Sequence, residues 1–261
     1  MTEQAPSRDP QTDAPTGEIP PRKALTGPAY RQFVWDVLAR KGARNYLEVG
    51  VRDGVTLAEA ECPSIGVDPQ FIFNRNPVGK KRVLHLYQMT SDDYFRDHDP
   101  RAVFGRPVDV AFLDGMHLFE YLLRDFINTE RVSAAHSVVL LDDCLPINME
   151  MTERVHRPEQ RRDRQIAGWW TGDVWKVVEI LREYRPDLRI TPVDVIPTGS
   201  IVISNLDPTS TLLYDRYFEI VDRFASVEFT PASFEAYWAR NAPVPAARLT
   251  GGFDLSLHLR P

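Results

Sequence analysis

Two short apolar runs that each end in aspartate constrain the fold of this chain more than any other feature. VDVAFL (108–113) leads into Asp114, and SVVLL (137–141) leads into Asp142 and Asp143. Runs of this length and composition predict buried strands of a parallel sheet. Apolar residues between them recur at helical spacing, which predicts a crossover helix that returns the chain to the same edge. The three carboxylates should meet at the strands' carboxyl ends, where open α/β sheets bind ligands.

This expected cluster of carboxylates predicts a metal site. Carboxylates brought together repel one another and raise each other's pKa, and a divalent cation with oxygen ligands relieves that repulsion. We therefore predict that Asp114, Asp142 and Asp143 bind Mg²⁺ or Mn²⁺. Asp142 and Asp143 could instead form a solvated loop pair, although their position directly after a buried strand favours the metal site. His117 follows Asp114 by three residues and should reach a molecule held by the cation.

A glycine-containing turn follows the first predicted strand, YLEV (46–49). A strand that runs into such a turn lets a ligand approach the backbone, and the next helix presents its N–H groups. We expect Glu48, Gly50, Val51 and Gly54 to contribute to a cofactor site. A dinucleotide fingerprint would need a further glycine within the turn, where Arg52 stands, so a nicotinamide cofactor is disfavoured.

The next two predicted strands also end in polar residues. SIGV (64–67) is followed by Asp68, whose carboxylate is placed to accept hydrogen bonds from ribose hydroxyls. VLHLY (83–87) is followed by Ser91 and Asp92, which could meet an adenine edge. The alternative is that Asp68 starts a turn and that Ser91 and Asp92 cap a helix.

The order of these motifs resembles the class I S-adenosylmethionine-dependent methyltransferases. The pattern is a strand, E-x-G-x-x-x-G, an acid after the second strand, polar residues after the third and D-G-x-H after the fourth. Within that class, Asp114 paired with Asp142 and Asp143 is similar to metal-dependent O-methyltransferases such as catechol O-methyltransferase. A histidine three residues after the first ligand is similar to sugar O-methyltransferases of macrolide biosynthesis. The resemblance covers about residues 30 to 205.

The resemblance implies a doubly wound α/β fold with seven strands, the last antiparallel, and helices on both faces. It implies S-adenosylmethionine as cofactor, with Asp114 at both the cofactor and the metal, and His117 as the base that accepts the proton of an acceptor hydroxyl. The alternative for His117 is a contact with adenine or with a carboxylate. The acceptor would be a small molecule, a sugar or another natural product. The compared families have Asp-Asn or Glu-Asp where this chain has Asp142-Asp143. A metal-independent methyltransferase, a non-catalytic S-adenosylmethionine-binding protein and a nicotinamide-dependent reductase are the alternatives.

Composition limits the partners that this chain is expected to have and the cellular compartment in which it is expected to work. The net charge of −6 provides no basic field for nucleic acid. Cys62 and Cys144 are too few for a disulfide framework, which suggests a cytoplasmic protein. Neither a span of about 20 apolar residues nor a signal-like segment occurs, so no membrane partner is expected. A homo-oligomer is possible.

The remaining segments complete the predicted organisation. Residues 1–25 are expected to be a disordered tail and 26–261 one methyltransferase domain. The charged segment 146–168 is expected to be an insertion or lid over the carboxylates. Asp173 is a predicted N-cap of the helix that follows it.

Overall fold

The sheet of the protein has eight strands in the order β3-β2-β1-β4-β5-β7-β6-β8, as seen in a computed structural model that describes residues 20–251. β1 to β5 are parallel, and β7 is antiparallel to both β5 and β6. The strands are β1 (Tyr46–Val49), β2 (Ser64–Val67), β3 (Leu84–Tyr87), β4 (Val108–Leu113), β5 (Ser133–Leu141), β6 (Arg189–Asp194), β7 (Ser200–Ser204) and β8 (Val244–Pro245).

The predicted α/β class, the parallel strands and the antiparallel seventh strand are confirmed, but the predicted count of seven strands is wrong. The extra strand is β8, which pairs in parallel with β6 at the edge of the sheet. It has two residues, one of them proline, and a segment so short has no alternating or continuous apolar pattern to recognise. β5 also begins at Ser133, four residues earlier than the apolar run at 137–141 indicated.

Helices cover both faces of the sheet. Consecutive residues of β1 show this directly, because Leu47 packs into one core cluster with α5 and α6, whereas Tyr46 packs into a second cluster with α1. The helices are α1 (Tyr30–Lys41), α2 (Val55–Glu59), α3 (Ser91–Asp97), α4 (Pro100–Phe104), α5 (Phe119–Val132), α6 (Trp175–Tyr184), α7 (Leu212–Asp215), α8 (Tyr217–Ala225), α9 (Pro231–Arg240) and α10 (Ala247–Thr250).

The local sequence explains where α1 ends and which face of α5 is buried. α1 ends at Gly42, whose left-handed conformation (φ 60°) lets its N–H bond back to the carbonyls of Leu38 and Ala39. α5 is the predicted crossover helix, and its apolar stripe is buried against the sheet. Those buried residues include Phe119, Leu122, Leu123, Phe126 and Ile127.

Elsewhere the helical predictions need correction. Apolar residues recur at helical spacing from Leu213 to Phe224, which predicts one helix, but the structure has two, because the chain breaks at Arg216 between α7 and α8. Val174, and not Asp173, is the N-cap of α6. The Asp173 carboxylate accepts instead from the backbone N–H of Phe119, at the start of α5.

Two charged or polar segments flank this fold. Residues 1–19 of the predicted tail lie outside the described residues, while the backbone N–H of Lys23 donates to the carbonyl of Ile147 at 2.8 Å. The charged segment 146–168 contains two 3₁₀ turns, Met149–Thr152 and Pro158–Gln160. Within residues 20–251, no helix combines the length and apolarity that crossing a membrane requires.

Candidate active site

A cavity of about 980 Å³ opens at the carboxyl ends of the parallel strands. This is the edge at which open α/β sheets bind ligands. Nine of the residues predicted from the sequence line the cavity: Gly50, Val51, Asp68, Ser91, Asp92, Asp114, His117, Asp142 and Asp143.

Gly50 lets the ends of β1 and β4 approach closely beneath the cavity. Its φ is 87°, and a Cβ at this position would lie 1.8 Å from the carbonyl oxygen of Asp114. Only glycine satisfies both the backbone conformation and the contact. Gly54, with φ 72°, instead begins α2 and packs against the ring of Phe73, off the cavity wall.

Glu48 also lies off the cavity wall, in the core behind the glycine turn. The hydroxyl of Tyr46 donates a hydrogen bond of 2.8 Å to its Oε2. Burial raises the pKa of Glu48 to about 8, because desolvation disfavours the charged carboxylate. The structure therefore places a neutral carboxyl group under the turn, where it supports β1 and does not line the cavity.

Asp68 lies on the wall of the cavity at the end of β2. Its Oδ2 accepts from the backbone N–H of Arg52 at 2.8 Å, and its Oδ1 accepts from that of Gln70 at 2.7 Å. These bonds fix the carboxylate, and each oxygen keeps lone-pair capacity for a further donor. The arrangement fits the predicted role of accepting ribose hydroxyls.

Ser91 and Asp92 begin α3 at the end of β3 and are tied to α5. Asp92 forms an ion pair with Arg124 at 2.6 Å. Ser91 hydrogen-bonds the carboxyl group of Asp125, which also lines the cavity and whose pKa burial raises to about 7. Asp125 was not predicted, although an acid on the buried face of an amphipathic helix was a visible signal.

His117 lies between two of the predicted metal ligands. Its Nε2 is 3.3 Å from Asp114 Oδ1 and 3.2 Å from Asp143 Oδ2. Its Nδ1 is 2.7 Å from the carbonyl oxygen of Trp170 and must carry a hydrogen, because a carbonyl only accepts. Burial lowers the pKa of His117, but the charge of Asp143, the hydrogen bond and charge of Asp114 and the hydrogen bond to the Trp170 carbonyl outweigh it and raise the pKa to about 10.

Asp142 and Asp143 follow β5 in different environments. Asp142 is buried and accepts a 2.8 Å bond from the Ser200 hydroxyl, and burial together with the charges of Asp114 and Asp143 raises its pKa well above the ordinary value. Asp143 adopts a left-handed backbone (φ 58°) and accepts from the hydroxyl of Thr198. Burial also raises the pKa of Asp143, to about 6.

The donor chemistry of this cluster fits a divalent cation. One ligand atom each from Asp114, His117 and Asp143 lies within 4.8 Å of the others, in the part of the chain that the structure describes. Two carboxylates and an imidazole are a donor set that first-row divalent metals accept. The structure thus brings Asp114 and Asp143 together with His117, while Asp142 lines the same cavity but is not part of this group.

A strap formed by residues 169–173 holds His117 from the far side. The Trp170 ring lies 5.1 Å from the imidazole and 5.7 Å from that of His156. Asp173 joins the strap to its surroundings by accepting from the Phe119 N–H at 3.0 Å and from the Lys176 ammonium at 2.9 Å. The contacts between the strap and α5 join positions more than fifty residues apart, so the sequence pattern could not reveal them.

Two further cavity residues come from α1, ahead of the first motif. Tyr30 stacks on Phe112, and its hydroxyl accepts a 3.0 Å bond from Arg31. Burial and the nearby charge of Asp114 raise the pKa of Tyr30, so the phenol stays protonated. The apolar face of this helix is visible in the sequence, but no motif within it marks a site.

The arrangement of sheet and site agrees with the class predicted from the sequence. A doubly wound sheet with a glycine turn after β1, an acid after β2 and a carboxylate cluster after β4 and β5 is the arrangement that the resemblance to class I methyltransferases implied. Residues 47–144 match the family model described as a methyltransferase domain. The matched stretch runs from the second residue of β1 to three residues past β5, so it contains the cavity's sheet edge.

Comparison with particular proteins gives more distant similarities. No curated protein matches the chain significantly. The O-methyltransferase TomG from Streptomyces achromogenes, solved with SAM, is 18% identical with a TM-score of 0.49 over 69% of this chain and 81% of its own. An O-methyltransferase from Bacillus cereus in complex with SAH is 14% identical with a TM-score of 0.47, over 68% of this chain and 80% of its own. A putative caffeoyl-CoA O-methyltransferase from Staphylococcus aureus is 12% identical with a TM-score of 0.46, over 69% of this chain and 85% of its own.

Proposed function

We propose that the protein transfers the methyl group of S-adenosylmethionine to a hydroxyl of a small molecule, a sugar or another natural product, with help from a divalent cation. The observation that carries the proposal is the convergence of Asp114, Asp142 and Asp143 at the floor of the cavity of a methyltransferase domain. A cation bound there would lower the pKa of an acceptor hydroxyl and orient its oxygen.

The protein itself supplies binding and alignment. The glycine turn at Gly50 lets the cofactor approach the backbone, and Asp68 is placed to accept hydrogen bonds from its ribose. The sulfonium is already an activated methyl donor, so aligning the acceptor oxygen in line with the methyl group is the main task left to the protein. The cavity is at the upper end of the usual range of ligand sites, about 300–1,000 Å³, which leaves space for an acceptor beside the cofactor.

The side chains near the carboxylates suit an acceptor with apolar surface as well as hydroxyls. Trp169 and Met116 line the cavity and are 42% and 54% exposed, respectively. Exposed aromatic and thioether side chains at a concave site commonly provide ligand contacts. They support a natural-product acceptor but do not distinguish a sugar from another hydroxylated natural product.

Metal-independent methyl transfer is the second candidate, and the position of His117 favours it. A protonated His117 would neutralise part of the charge of Asp114 and Asp143 without any cation. In that enzyme the aspartates would organise the floor of the cavity, and alignment alone would drive the reaction.

One experiment separates the two candidates. The protein is incubated with S-adenosylmethionine carrying a ¹³C-methyl group and a panel of hydroxylated acceptors, before and after exhaustive chelation. The proposal predicts an O-¹³CH₃ product that chelation abolishes and that added Mg²⁺ or Mn²⁺ restores. Full turnover after chelation would establish the metal-independent candidate, and label on nitrogen or carbon alone would refute O-methylation.

A further inference from the structure

We infer that His117 is itself a metal ligand, and that its Nε2 atom, Asp114 and Asp143 hold the divalent cation while Asp142 stays outside the coordination sphere. The inference rests on the proposed metal-assisted methyl transfer and changes its ligand set. The sequence predicted three carboxylate ligands and a histidine base, whereas the geometry indicates two carboxylates and one imidazole.

The first observation is the set of distances between His117 Nε2 and the carboxylate oxygens of Asp114 and Asp143. Nε2 of His117 lies 3.3 Å from Asp114 Oδ1 and 3.2 Å from Asp143 Oδ2. First-row divalent metals bind nitrogen and oxygen ligands at about 2.0–2.2 Å, so neighbouring ligands in an octahedron lie about 3 Å apart. Two of the three donor-to-donor distances therefore already match neighbouring ligands of an octahedron, and the third, between the two carboxylates, is within 4.8 Å.

The second observation is the orientation of the His117 imidazole. Nδ1 donates to the Trp170 carbonyl at 2.7 Å, which leaves Nε2 as the nitrogen that faces the two carboxylates. Metal-binding histidines generally donate their other ring N–H to a carbonyl or carboxylate, which fixes the ring for its ligand. The close fit of Gly172, where a Cβ would lie 1.7 Å from the His117 carbonyl oxygen, keeps the strap against this residue.

The hydrogen-bond partners of Asp142 and Asp143 indicate which of the two carboxylates binds the cation. Asp143 accepts from Thr198 through Oδ1, which leaves Oδ2 directed at His117. Asp142 is buried, accepts from Ser200 through Oδ1 and has no atom in the group of close donors found among residues 20–251. Ser200 and Thr198 thus hold the two carboxylates in different roles.

A nitrogen ligand has consequences for the metal and for the chemistry. Imidazole suits first-row transition metals, whose affinity for a mixed nitrogen and oxygen site rises from Mn²⁺ to Co²⁺, whereas Mg²⁺ strongly prefers oxygen. We expect tighter binding of Mn²⁺ or Co²⁺ than of Mg²⁺. A lone pair donated to a metal cannot accept a proton, so His117 would not serve as the base for the acceptor hydroxyl.

The test uses the full chain loaded with Mn²⁺ and measures nuclei coupled to the metal by pulsed electron paramagnetic resonance. The inference predicts a directly coordinated ¹⁴N nucleus, replaced by ¹⁵N coupling when the protein is labelled at histidine. It also predicts that H117Q removes the coupling and weakens Mn²⁺ binding by about tenfold or more. D142N should retain both, and H156Q is the matched control, because His156 also contacts Trp170 but lies outside the donor group.

The outcomes separate this inference from the proposed function. Bound Mn²⁺ without nitrogen coupling, together with loss of binding in D142N, would overturn the histidine ligand and leave metal-assisted transfer intact. Failure of the folded wild-type protein to bind Mn²⁺, Co²⁺ or Mg²⁺ in the presence of S-adenosylmethionine would overturn both. Histidine labelling of the wild-type protein needs no variant, so a folding defect in H117Q cannot obscure the result.

Discussion

Glu48→Gln should make the stability of the protein less dependent on pH. The Glu48 carboxyl group has an ordinary pKa of 4.5 and a folded-state pKa of about 8 because it is buried. Between these values the unfolded state loses its proton while the folded state keeps it, so the free energy of unfolding falls as the pH rises. The contribution is fully present below pH 4.5 and is lost by about pH 8.

The size of the effect follows from the same two values. One pKa unit corresponds to about 1.4 kcal/mol, so this group alone should lower the free energy of unfolding by about 2.5 kcal/mol between pH 5 and pH 7. Glutamine has nearly the same shape and can accept from the Tyr46 hydroxyl, but it does not titrate. The stability of the variant relative to wild type should therefore rise by about that amount over this interval, as an upper estimate.

Urea denaturation of the wild-type protein and of E48Q at about pH 5 and pH 7 measures this difference in stability. The titrations of other buried acids are common to both proteins and cancel in the difference. Glu159→Gln is the matched control, because Glu159 is an exposed glutamate. A relative stability that is the same at both pH values would refute the assignment of a neutral, buried Glu48. S-adenosylmethionine affinity should be unchanged in E48Q, since Glu48 lies off the cavity wall.

Three other substitutions test separate parts of the structure. Gly50→Ala should destabilise the protein by more than the roughly 1–3 kcal/mol that a left-handed conformation costs, because its Cβ would also meet the Asp114 carbonyl at 1.8 Å; a wild-type melting temperature would contradict this contact. Asp68→Ala should weaken S-adenosylmethionine binding by about 1.5–3 kcal/mol per charged hydrogen bond lost, and an unchanged calorimetric affinity would remove Asp68 from the site. Asp173→Ala should lower the free energy of unfolding by about 3–5 kcal/mol, because it leaves the buried Lys176 ammonium without its 2.9 Å partner. Denaturant titration of D173A, with K176M as the comparison, measures this loss, and a clearly smaller loss in D173A would contradict the prediction.

The sheet and its acidic edge were predictable because buried parallel strands are short apolar runs that stop where the chain becomes polar. β1, β2 and β4 have the predicted bounds, and the carboxylates after β4 and β5 meet as parallel topology requires. The order of these motifs, more than any one of them, pointed to the methyltransferase class.

The rest depends on contacts between distant parts of the chain. Tyr30 reaches the cavity from a helix that precedes every motif, and Trp170 meets His117 across 53 positions. Sequence spacing placed His117 near the predicted metal site, but the direction of each ring nitrogen, on which its role depends, is not visible in the sequence. Asp173 has the sequence position of a helix cap, yet its carboxylate bonds to a different helix.

The central claim is that the cavity at the end of β1 and β2 binds S-adenosylmethionine. Native mass spectrometry of the full chain with equimolar S-adenosylmethionine and NADPH tests it directly. The structure predicts a one-to-one adduct with S-adenosylmethionine that weakens in D68A. A saturable NADPH adduct, or no S-adenosylmethionine adduct from the folded protein at any concentration, would contradict it.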